Sequence, residues 1–130
     1  MEDRLQLTLS SFGFKYGPPT DATHLWDVRF LPNPYWVEEM RDLTGLDPRV
    51  AAYVLDSPAG SEFLRLAIPL LSFLVEQNRG TGRLAMWLAI GCTGGQHRSV
   101  AVVERLGRDL GALSVDLVVL HRDCSRASSG

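Results

Sequence analysis

Hydrophobic and polar residues alternate at the start of the chain, where Leu5, Leu7 and Leu9 are separated by polar positions. Alternation with a period of two is typical of a strand that buries one face. A second short strand is predicted from Leu25 to Phe30. It must end at the Pro-Asn-Pro segment that follows, because proline lacks the N–H group of a sheet ladder. The first third of the chain therefore predicts two strands.

The middle of the chain has the periodicity of helices. Asp47 and Pro48 predict an N-cap followed by proline in the first helical turn, and one face of that helix then carries Val50, Tyr53 and Val54. A longer helix is predicted from Glu62 to Gln77, and Pro69 inside it should kink or split it. The side chains predicted to face the core from this helix are Phe63, Leu66, Ala67, Leu70, Leu71 and Leu74.

The last third begins with an apolar run over residues 84–90, which predicts a central strand buried on both faces. A helix of about four turns follows from His97 to Leu110, with Gly111 as its C-cap. Its predicted core stripe consists of Val100, Val103, Leu106 and Leu110. Val115 to Leu120 predicts the last strand. Strands alternating with helices, without a repeat or a linker, predict one α/β domain with a mostly parallel sheet.

The composition is that of an ordinary globular domain, since the 130 residues are 45% hydrophobic and 22% charged. We expect no transmembrane helix and no secretory signal, because neither pattern occurs. The net charge of −2 argues against a broad, nonspecific nucleic-acid surface. Cys92 and Cys124 lack the spacing of a zinc site or a disulfide framework, which favours the reducing cytoplasm. We expect no metal and no cofactor, and the glycine motifs of nucleotide-binding folds do not occur.

The most informative segment is the loop from Gly91 to Ser99, between the buried strand and the helix that follows it. In open α/β sheets, ligands bind at the carboxyl ends of strands, where glycines let backbone N–H groups approach a ligand. A helix N-terminus favours an anion there, and His97 and Arg98 add donors. The alternative is a glycine turn with a solvated arginine. The coincidence of all these features favours a phosphate or carboxylate site.

A sharper hypothesis makes Cys92 a nucleophile. Five residues separate Cys92 from Arg98, a spacing that resembles the phosphate loop of protein tyrosine phosphatases. The thiolate in such a loop attacks phosphorus, and a helix N-terminus with nearby cations lowers the pKa of a cysteine. Gly91 stands where that family has a histidine, and no aspartate-bearing acid loop stands out. We therefore favour the simpler interpretation, in which Cys92 is a small buried residue at a strand end.

Two further clusters contain candidate binding residues. Asp27 and Arg29 are two residues apart on the second predicted strand, hence on one face near its carboxyl end. They could contact sugar hydroxyls, an amine and phosphate, or form an ion pair that organises the turn, and the residues alone favour neither. Lys15 and Tyr16 lie in an aromatic segment that could stack on bases and contact phosphates, although core and turn roles are commoner for such residues.

Three segments together resemble one family. Residues 11–17 (SFGFKYG), 27–34 (DVRFLPNP) and 91–99 (GCTGGQHRS) are similar, in sequence and in order, to motifs of the C-terminal domain of the RapZ/YvcJ family, and residues 40–47, with 44–47 (TGLD), fit the same pattern. The resemblance extends from about Leu5 to Arg122. It implies a single three-layer α/β domain over residues 1–130, similar to a phosphofructokinase subdomain. Within these bounds we expect flexible ends at 1–4 and 123–130, since the C-terminal tail is polar.

The resemblance also implies a function: a noncatalytic sensor or adaptor that binds a phosphorylated amino sugar such as glucosamine 6-phosphate. It further implies regulation through a small RNA, assembly into homo-oligomers, and a P-loop nucleotide-binding protein as partner. By position, Asp27 and Arg29 would line the sugar side, and Lys15, with Tyr16 beside it, would contact RNA. The residues that would hold the phosphate are Thr93, Gly94, Gly95, His97 and Arg98. A cysteine-dependent phosphatase that uses Cys92 and Arg98 is the alternative.

Overall fold

The computed structural model describes residues 4–126, which fold into four strands and three helices. The strands are β1 (Leu5–Gly13), β2 (His24–Asp27), β3 (Ala85–Cys92) and β4 (Val115–His121). The helices are α1 (Pro48–Leu55), α2 (Pro58–Gly80) and α3 (Arg98–Leu110), and single 3-10 turns cover Phe14–Tyr16 and Pro34–Trp36. All strand pairs are parallel, in the order β2-β3-β1-β4. The predicted α/β class with a parallel sheet is confirmed.

The two interior strands, β1 and β3, supply much of the core. Leu5, Leu7 and Leu9 are buried and Gln6 is exposed, as their alternation predicts, but the prediction of a half-buried strand fails from Ser10 onward, where both faces of β1 are buried. The apolar run of β3 is interior as predicted, since Leu88 and Ile90 are fully buried. Because the sheet is parallel, the carboxyl ends of its strands meet at one edge. The parallel register shows this directly, with Gly13 opposite Cys92, Asp27 opposite Gly91 and Ser11 opposite His121.

Strand β2 is shorter than predicted. It ends at Asp27, and Arg29 and Phe30 lie beyond it. The reason is local: the Asp27 carboxylate accepts a hydrogen bond from the Arg29 backbone N–H at 2.9 Å, which turns the chain away from the sheet. The Val28 N–H still donates to the Gly91 carbonyl at 2.9 Å, so the turn begins directly against β3.

The helices begin where their caps place them. Helix α1 begins at Pro48 as predicted, with Asp47 accepting from the Arg49 N–H. Helix α2 begins at Pro58, earlier than predicted, because the Ser57 side chain accepts from the Gly60 N–H. It continues without a break through Pro69 to Gly80, so the predicted split does not occur. Pro69 is exposed, and the carbonyl that loses its donor there lies on the solvent side.

The buried face of α2 differs from the predicted one. Ala67 and Leu71 are buried as predicted, but Leu66 and Leu70 are exposed, and the prediction for them was wrong. The buried row is completed by Leu64 and Val75, at helical spacing with Ala67 and Leu71. In α3, by contrast, all four residues of the predicted core stripe are buried. Gly111 caps α3 as predicted, with right-handed backbone angles.

Helix α2 is the one helix among residues 4–126 that is long and apolar enough to cross a membrane by length and composition. Its inner face belongs to the hydrophobic core, through residues such as Leu64, Leu71 and Val75. Core helices of α/β domains pass the same test, so length and composition alone give weak support to a membrane span.

Residues near both ends of the described range 4–126 contact the rest of the domain. Arg4 donates to the Asp116 carboxylate and to the Val115 carbonyl, each at 2.7 Å. Asp123, which lies in the segment expected to be flexible, is fully buried and accepts from the Gly13 N–H at 2.8 Å. The remaining end segments of that prediction, residues 1–3 and 127–130, lie outside the described residues.

Candidate functional site

The loop between β3 and α3, residues 93–97, lies against the carboxyl end of β1. A Cβ atom on Gly13 would lie 2.5 Å from the Gly94 carbonyl carbon, so the two segments approach as closely as backbones can. Gly95 has a φ of +75°, and a Cβ atom there would lie 2.7 Å from the Gly13 nitrogen. Gly13 and Gly95 are therefore required for the shape of the loop.

A recess of about 490 Å³ opens beside this loop. Its volume is within the range of small-molecule sites. One wall contains four of the predicted phosphate-binding residues, and Lys15 reaches the recess from the turn after β1. Gly95, Asp27 and Arg29 are not among its lining residues, which are Lys15, Asn33, Tyr35, Trp36, Arg41, Asp42, Cys92, Thr93, Gly94, Gln96, His97 and Arg98.

The backbone of the loop has unused hydrogen-bond donors. Among the described residues, no acceptor receives a hydrogen bond from any backbone N–H group between Thr93 and His97. The loop leads directly into α3, whose N-terminus has no side-chain cap. A run of N–H groups in a tight turn at a helix N-terminus carries partial positive charge and suits an anion. The backbone thus provides the donor set that a phosphate group needs.

Arg98 adds a fixed positive charge to the recess. Its side chain is almost fully buried and donates to the carbonyls of Arg29 and Leu31, at 2.7 and 3.2 Å. The second terminal nitrogen, Nη2, lies 3.4 Å from the Thr93 hydroxyl oxygen. Burial lowers the pKa of Arg98 from its very high ordinary value, and the guanidinium stays protonated at neutral pH. The charge is therefore held in place before any ligand arrives.

His97 contributes differently from Arg98. It is buried, and its Nε2–H donates to the Arg41 carbonyl at 3.1 Å. Burial lowers the pKa of His97 below the ordinary value of 6.5, and the positive charge of Arg98 acts in the same direction. The imidazole is therefore neutral at pH 7 and positions the opposite wall of the recess. Gln96 stabilises the same wall, because its side chain donates hydrogen bonds to the carbonyls of Arg41 and Leu43.

Cys92 lines the recess from the end of β3. Its Sγ accepts from the Ser99 N–H at 3.4 Å and lies 3.2 Å from the Ser99 hydroxyl. The thiol is almost completely buried. The arrangement joins the strand end to the first turn of α3.

Asp27 and Arg29 form a closed ion pair. The Arg29 Nη2 donates to the Asp27 carboxylate at 2.7 Å, and these hydrogen bonds hold the pKa of Asp27 below its ordinary value. The guanidinium carbon of Arg29 lies 4.0 Å from the Phe14 ring centroid. The two charged groups are thus engaged with each other, and Arg29 also contacts Phe14 in the turn after β1.

Lys15 and Tyr16 lie in a basic and aromatic cluster next to the recess. The Lys15 Nζ is 5.3 Å from the Tyr16 ring centroid, and the Arg126 guanidinium carbon is 4.6 Å from it. Arg122 and Arg126 are both ion-paired with the buried Asp123. Asp123 therefore holds the segment after β4 beside the turn after β1.

Residues 33–42 supply the outer wall of the recess, and none of them is among the site residues predicted from the sequence. Asn33, Tyr35 and Trp36 belong to the turn after β2, and the Asn33 side chain caps it by accepting from the Tyr35 N–H. The Pro-Asn-Pro segment just beyond a strand's carboxyl end could have indicated this wall. Nothing in the sequence around Asp42 indicates that this residue lines the recess. Within residues 4–126, no three His, Cys, Asp or Glu side chains are grouped so that they could hold a metal ion.

Comparison with known proteins adds a family context. A family model described as the RapZ C-terminal domain matches residues 5–125. A nucleotide-binding protein of Streptomyces coelicolor is 49% identical over 125 residues, which cover 96% of this chain and 42% of that protein. Nucleotide-binding proteins of Frankia alni and Mycobacterium leprae are 51% and 53% identical over 124 residues, covering 95% and 92% of this chain. The chain spans less than half the length of these relatives, at 42%, 43% and 41%.

Proposed function

The chain belongs to the RapZ C-terminal domain family, and from that premise we propose that it is a noncatalytic sensor or adaptor domain that binds a small phosphate ester in the recess beside the β3–α3 loop. The observation that carries this proposal is the run of N–H groups from Thr93 to His97 without internal acceptors, beside the buried charge of Arg98. Together they offer directed donors and one cation to a phosphate dianion.

Calorimetric titration tests this proposal. The panel contains inorganic phosphate, glucose 6-phosphate, glucosamine 6-phosphate and unphosphorylated glucosamine. We expect heat from the phosphate esters and none from glucosamine alone. Arg98→Lys should weaken phosphate-ester binding by about tenfold or more, because lysine cannot reproduce the forked donor geometry of arginine. Arg49→Lys, on α1 and outside the recess, is the matched control and should bind as the wild type does. A folded wild-type chain that binds no phosphate ester contradicts the proposal.

Within the phosphate esters, we propose a phosphorylated amino sugar as the ligand class. Asp42 lines the recess, and its carboxylate has no hydrogen-bond or ion-pair partner among the described residues. A carboxylate beside an anion site suits an ammonium group on the same ligand. Asp27, which the resemblance places at the sugar, is instead paired with Arg29. Asp42→Asn should remove a preference for glucosamine 6-phosphate over glucose 6-phosphate, whereas Asp27→Asn should leave it unchanged.

A cysteine-dependent phosphatase is the second candidate, because Cys92 and Arg98 line the same recess. In that reaction the Cys92 thiolate forms a bond to phosphorus while the bond from phosphorus to the ester oxygen breaks, the leaving oxygen takes a proton from solvent water, and a second water then hydrolyses the phosphocysteine to phosphate and the free thiol. Release of phosphate from an aryl phosphate by the wild type, lost in Cys92→Ser, supports this candidate. Binding of sugar phosphates without turnover supports the sensor instead.

RNA is a further proposed partner, at the cluster formed by Lys15, Tyr16, Arg122 and Arg126. Cations beside the half-buried ring of Tyr16 suit a backbone phosphate and a stacked base. Binding of a small structured RNA should weaken steeply with added salt and weaken further in Lys15→Ala. Lack of an electrophoretic shift at low salt contradicts this partner.

The family context supports three more proposals. The curated relatives are named nucleotide-binding proteins and are more than twice as long as this chain, which supports a P-loop nucleotide-binding unit as partner. We also propose that the chain self-associates into homo-oligomers. We propose a cytoplasmic location as well, because Cys92 and Cys124 are both free thiols, as is usual in a reducing compartment.

A further inference from the structure

Trp36 is a large apolar side chain that the fold leaves open on the outer wall of the recess. It is 75% exposed, the highest value of any large apolar residue among residues 4–126, and it lines the recess. A tryptophan gains much free energy from burial, because its apolar area is large. On an open surface a single exposed apolar residue needs no explanation. On the wall of a concave site, the same residue offers its unburied area to a ligand.

The exposure of Trp36 does not come from a loose segment. The Trp36 N–H donates to the Asn33 carbonyl at 3.2 Å, and the Val37 N–H donates to the Pro34 carbonyl at 2.9 Å. Pro34 is buried, and the Tyr35 and Trp36 rings meet edge to face with their centroids 5.0 Å apart. The indole is therefore held at the recess before a ligand arrives, which lowers the conformational entropy lost on binding.

Hydrogen bonds connect this aromatic turn to the loop that carries the proposed phosphate site. The Arg41 Nε donates to the Tyr35 carbonyl at 2.9 Å. The Arg41 carbonyl in turn accepts from the side chains of Gln96 and His97, at 3.0 and 3.1 Å. The fold therefore sets the position of Trp36 relative to the loop, so one ligand can contact both.

We propose that Trp36 is the stacking surface for the ring of a pyranose phosphate whose phosphate group lies on the loop at 93–97. In a hexopyranose 6-phosphate, a single carbon separates the ring from the ester oxygen. A phosphate on the loop therefore leaves the ring in the rest of the recess, where its face of C–H bonds lies on the indole and excludes water. This inference rests on the proposed phosphate-ester function and makes Trp36 the residue that selects the ring form of the ligand.

The polar groups beside Trp36 favour a sugar ring over a nucleobase or an open chain. Asn33, Arg41 and Asp42 line the same wall. Among the described residues, no hydrogen-bond partner contacts the Asn33 amide nitrogen, the terminal guanidinium nitrogens of Arg41 or the Asp42 carboxylate. A pyranose presents hydroxyl groups around its edge to such donors and acceptors, and an apolar face to the indole. A nucleobase would lie further from the phosphate, with a ribose between them, and an open chain has no ring face.

Calorimetry with matched ligands tests the stacking surface. Glucose 6-phosphate and sorbitol 6-phosphate carry the same phosphate group, but only glucose 6-phosphate has a ring. The wild type should bind the ring form about tenfold more tightly. Trp36→Ala should lose about tenfold in affinity for glucose 6-phosphate and less than about twofold for inorganic phosphate, and Trp36→Phe should recover most of the loss. Phe73→Ala, which truncates an exposed aromatic side chain outside the recess, is the matched control and should bind as the wild type does.

The outcomes separate this inference from the function on which it rests, once far-UV circular dichroism shows that each variant is folded. A wild type that binds no phosphate ester contradicts the proposed function and the stacking surface together. A wild type that binds glucose 6-phosphate no better than sorbitol 6-phosphate overturns the stacking surface alone. The same holds if Trp36→Ala binds glucose 6-phosphate unchanged, or loses inorganic phosphate equally, because Trp36 would then be inert or would only shape the loop. Tighter, Trp36-dependent binding of adenosine monophosphate overturns the sugar assignment, because a nucleobase would then be the stacked ring.

Discussion

His97 is a buried neutral imidazole at the edge of the recess, and this makes the stability of the domain depend on pH. Burial lowers the pKa of His97 in the folded chain, whereas the unfolded chain has the ordinary value of 6.5. Protons therefore bind the unfolded chain more readily. The contribution of His97 to stability is fully present above the unfolded value and is lost as the pH falls through the lower, folded value.

We predict that the free energy of unfolding of the wild type decreases between pH 7 and about pH 5. His97→Gln, which keeps a side-chain donor for the Arg41 carbonyl but does not titrate, should show a smaller decrease. Urea unfolding at the two pH values measures the difference. Equal pH dependence of the wild type and His97→Gln would show that the imidazole is not the group responsible.

Asp123 also makes the free energy of unfolding depend on pH, but in a lower pH range than His97, because its charged form is a carboxylate. Burial alone would raise its pKa, but hydrogen bonds from Arg122 and the Gly13 N–H hold the pKa of Asp123 below the ordinary value of 3.8. Its stabilising effect is present above that value and is lost as the pH falls through the folded pKa. Asp123→Asn should cost about 2 kcal/mol in the free energy of unfolding at neutral pH. The variant should also lose less stability than the wild type below about pH 4, as thermal unfolding across that range can show.

Among the elements, α2 shows where a sequence pattern stops being informative. Leu66, Ala67, Leu70 and Leu71 are all apolar, so two helix faces satisfy the same periodicity, and only the packed sheet and α3 decide between them. In α3 the predicted core stripe is buried, and Ala101 and Val102, which that stripe left out, are buried with it because this helix is covered on more than one side. The loop at 93–97 was recognisable because all its signals are local. The wall formed by residues 33–42 has a local signal only in its Pro-Asn-Pro segment, because tertiary contacts such as those of Gln96 hold the rest of it in place.

Truncating a side chain on the buried face of α2 should lower the free energy of unfolding far more than truncating one on the exposed face. Leu71→Ala removes a fully buried side chain and should cost about 2–5 kcal/mol in the free energy of unfolding. Leu66→Ala, measured at a concentration low enough for the monomer, should change it by less than about 0.5 kcal/mol. Urea unfolding of the pair distinguishes the faces. Equal losses of stability in Leu71→Ala and Leu66→Ala would mean that the helix is rotated so that both side chains are buried to the same extent.

At the scale of the whole molecule, the recess exists because three separate parts of the chain meet at one edge of the sheet. The end of β1 supports the β3–α3 loop, and the segment 33–43 closes the opposite side through the bonds made by Gln96 and His97. The approach of Gly13 to Gly94 leaves no room for a side chain, since a Cβ atom on Gly13 would lie 2.5 Å from the Gly94 carbonyl carbon. A change at Gly13 therefore reaches the proposed phosphate site without removing any group that is proposed to contact the ligand.

Gly13→Ala tests this coupling. The new Cβ atom would lie 2.5 Å from the Gly94 carbonyl carbon, so the loop or the end of β1 must shift. We predict a cost of about 1–3 kcal/mol in the free energy of unfolding. Phosphate-ester affinity should fall by about tenfold or more, because the N–H groups of the displaced loop no longer point towards one common position. Gly80→Ala is the control, since no atom lies within 4 Å of a Cβ atom there. A Gly13→Ala variant that binds phosphate esters as tightly as Gly80→Ala would mean that the strand end does not shape the anion site.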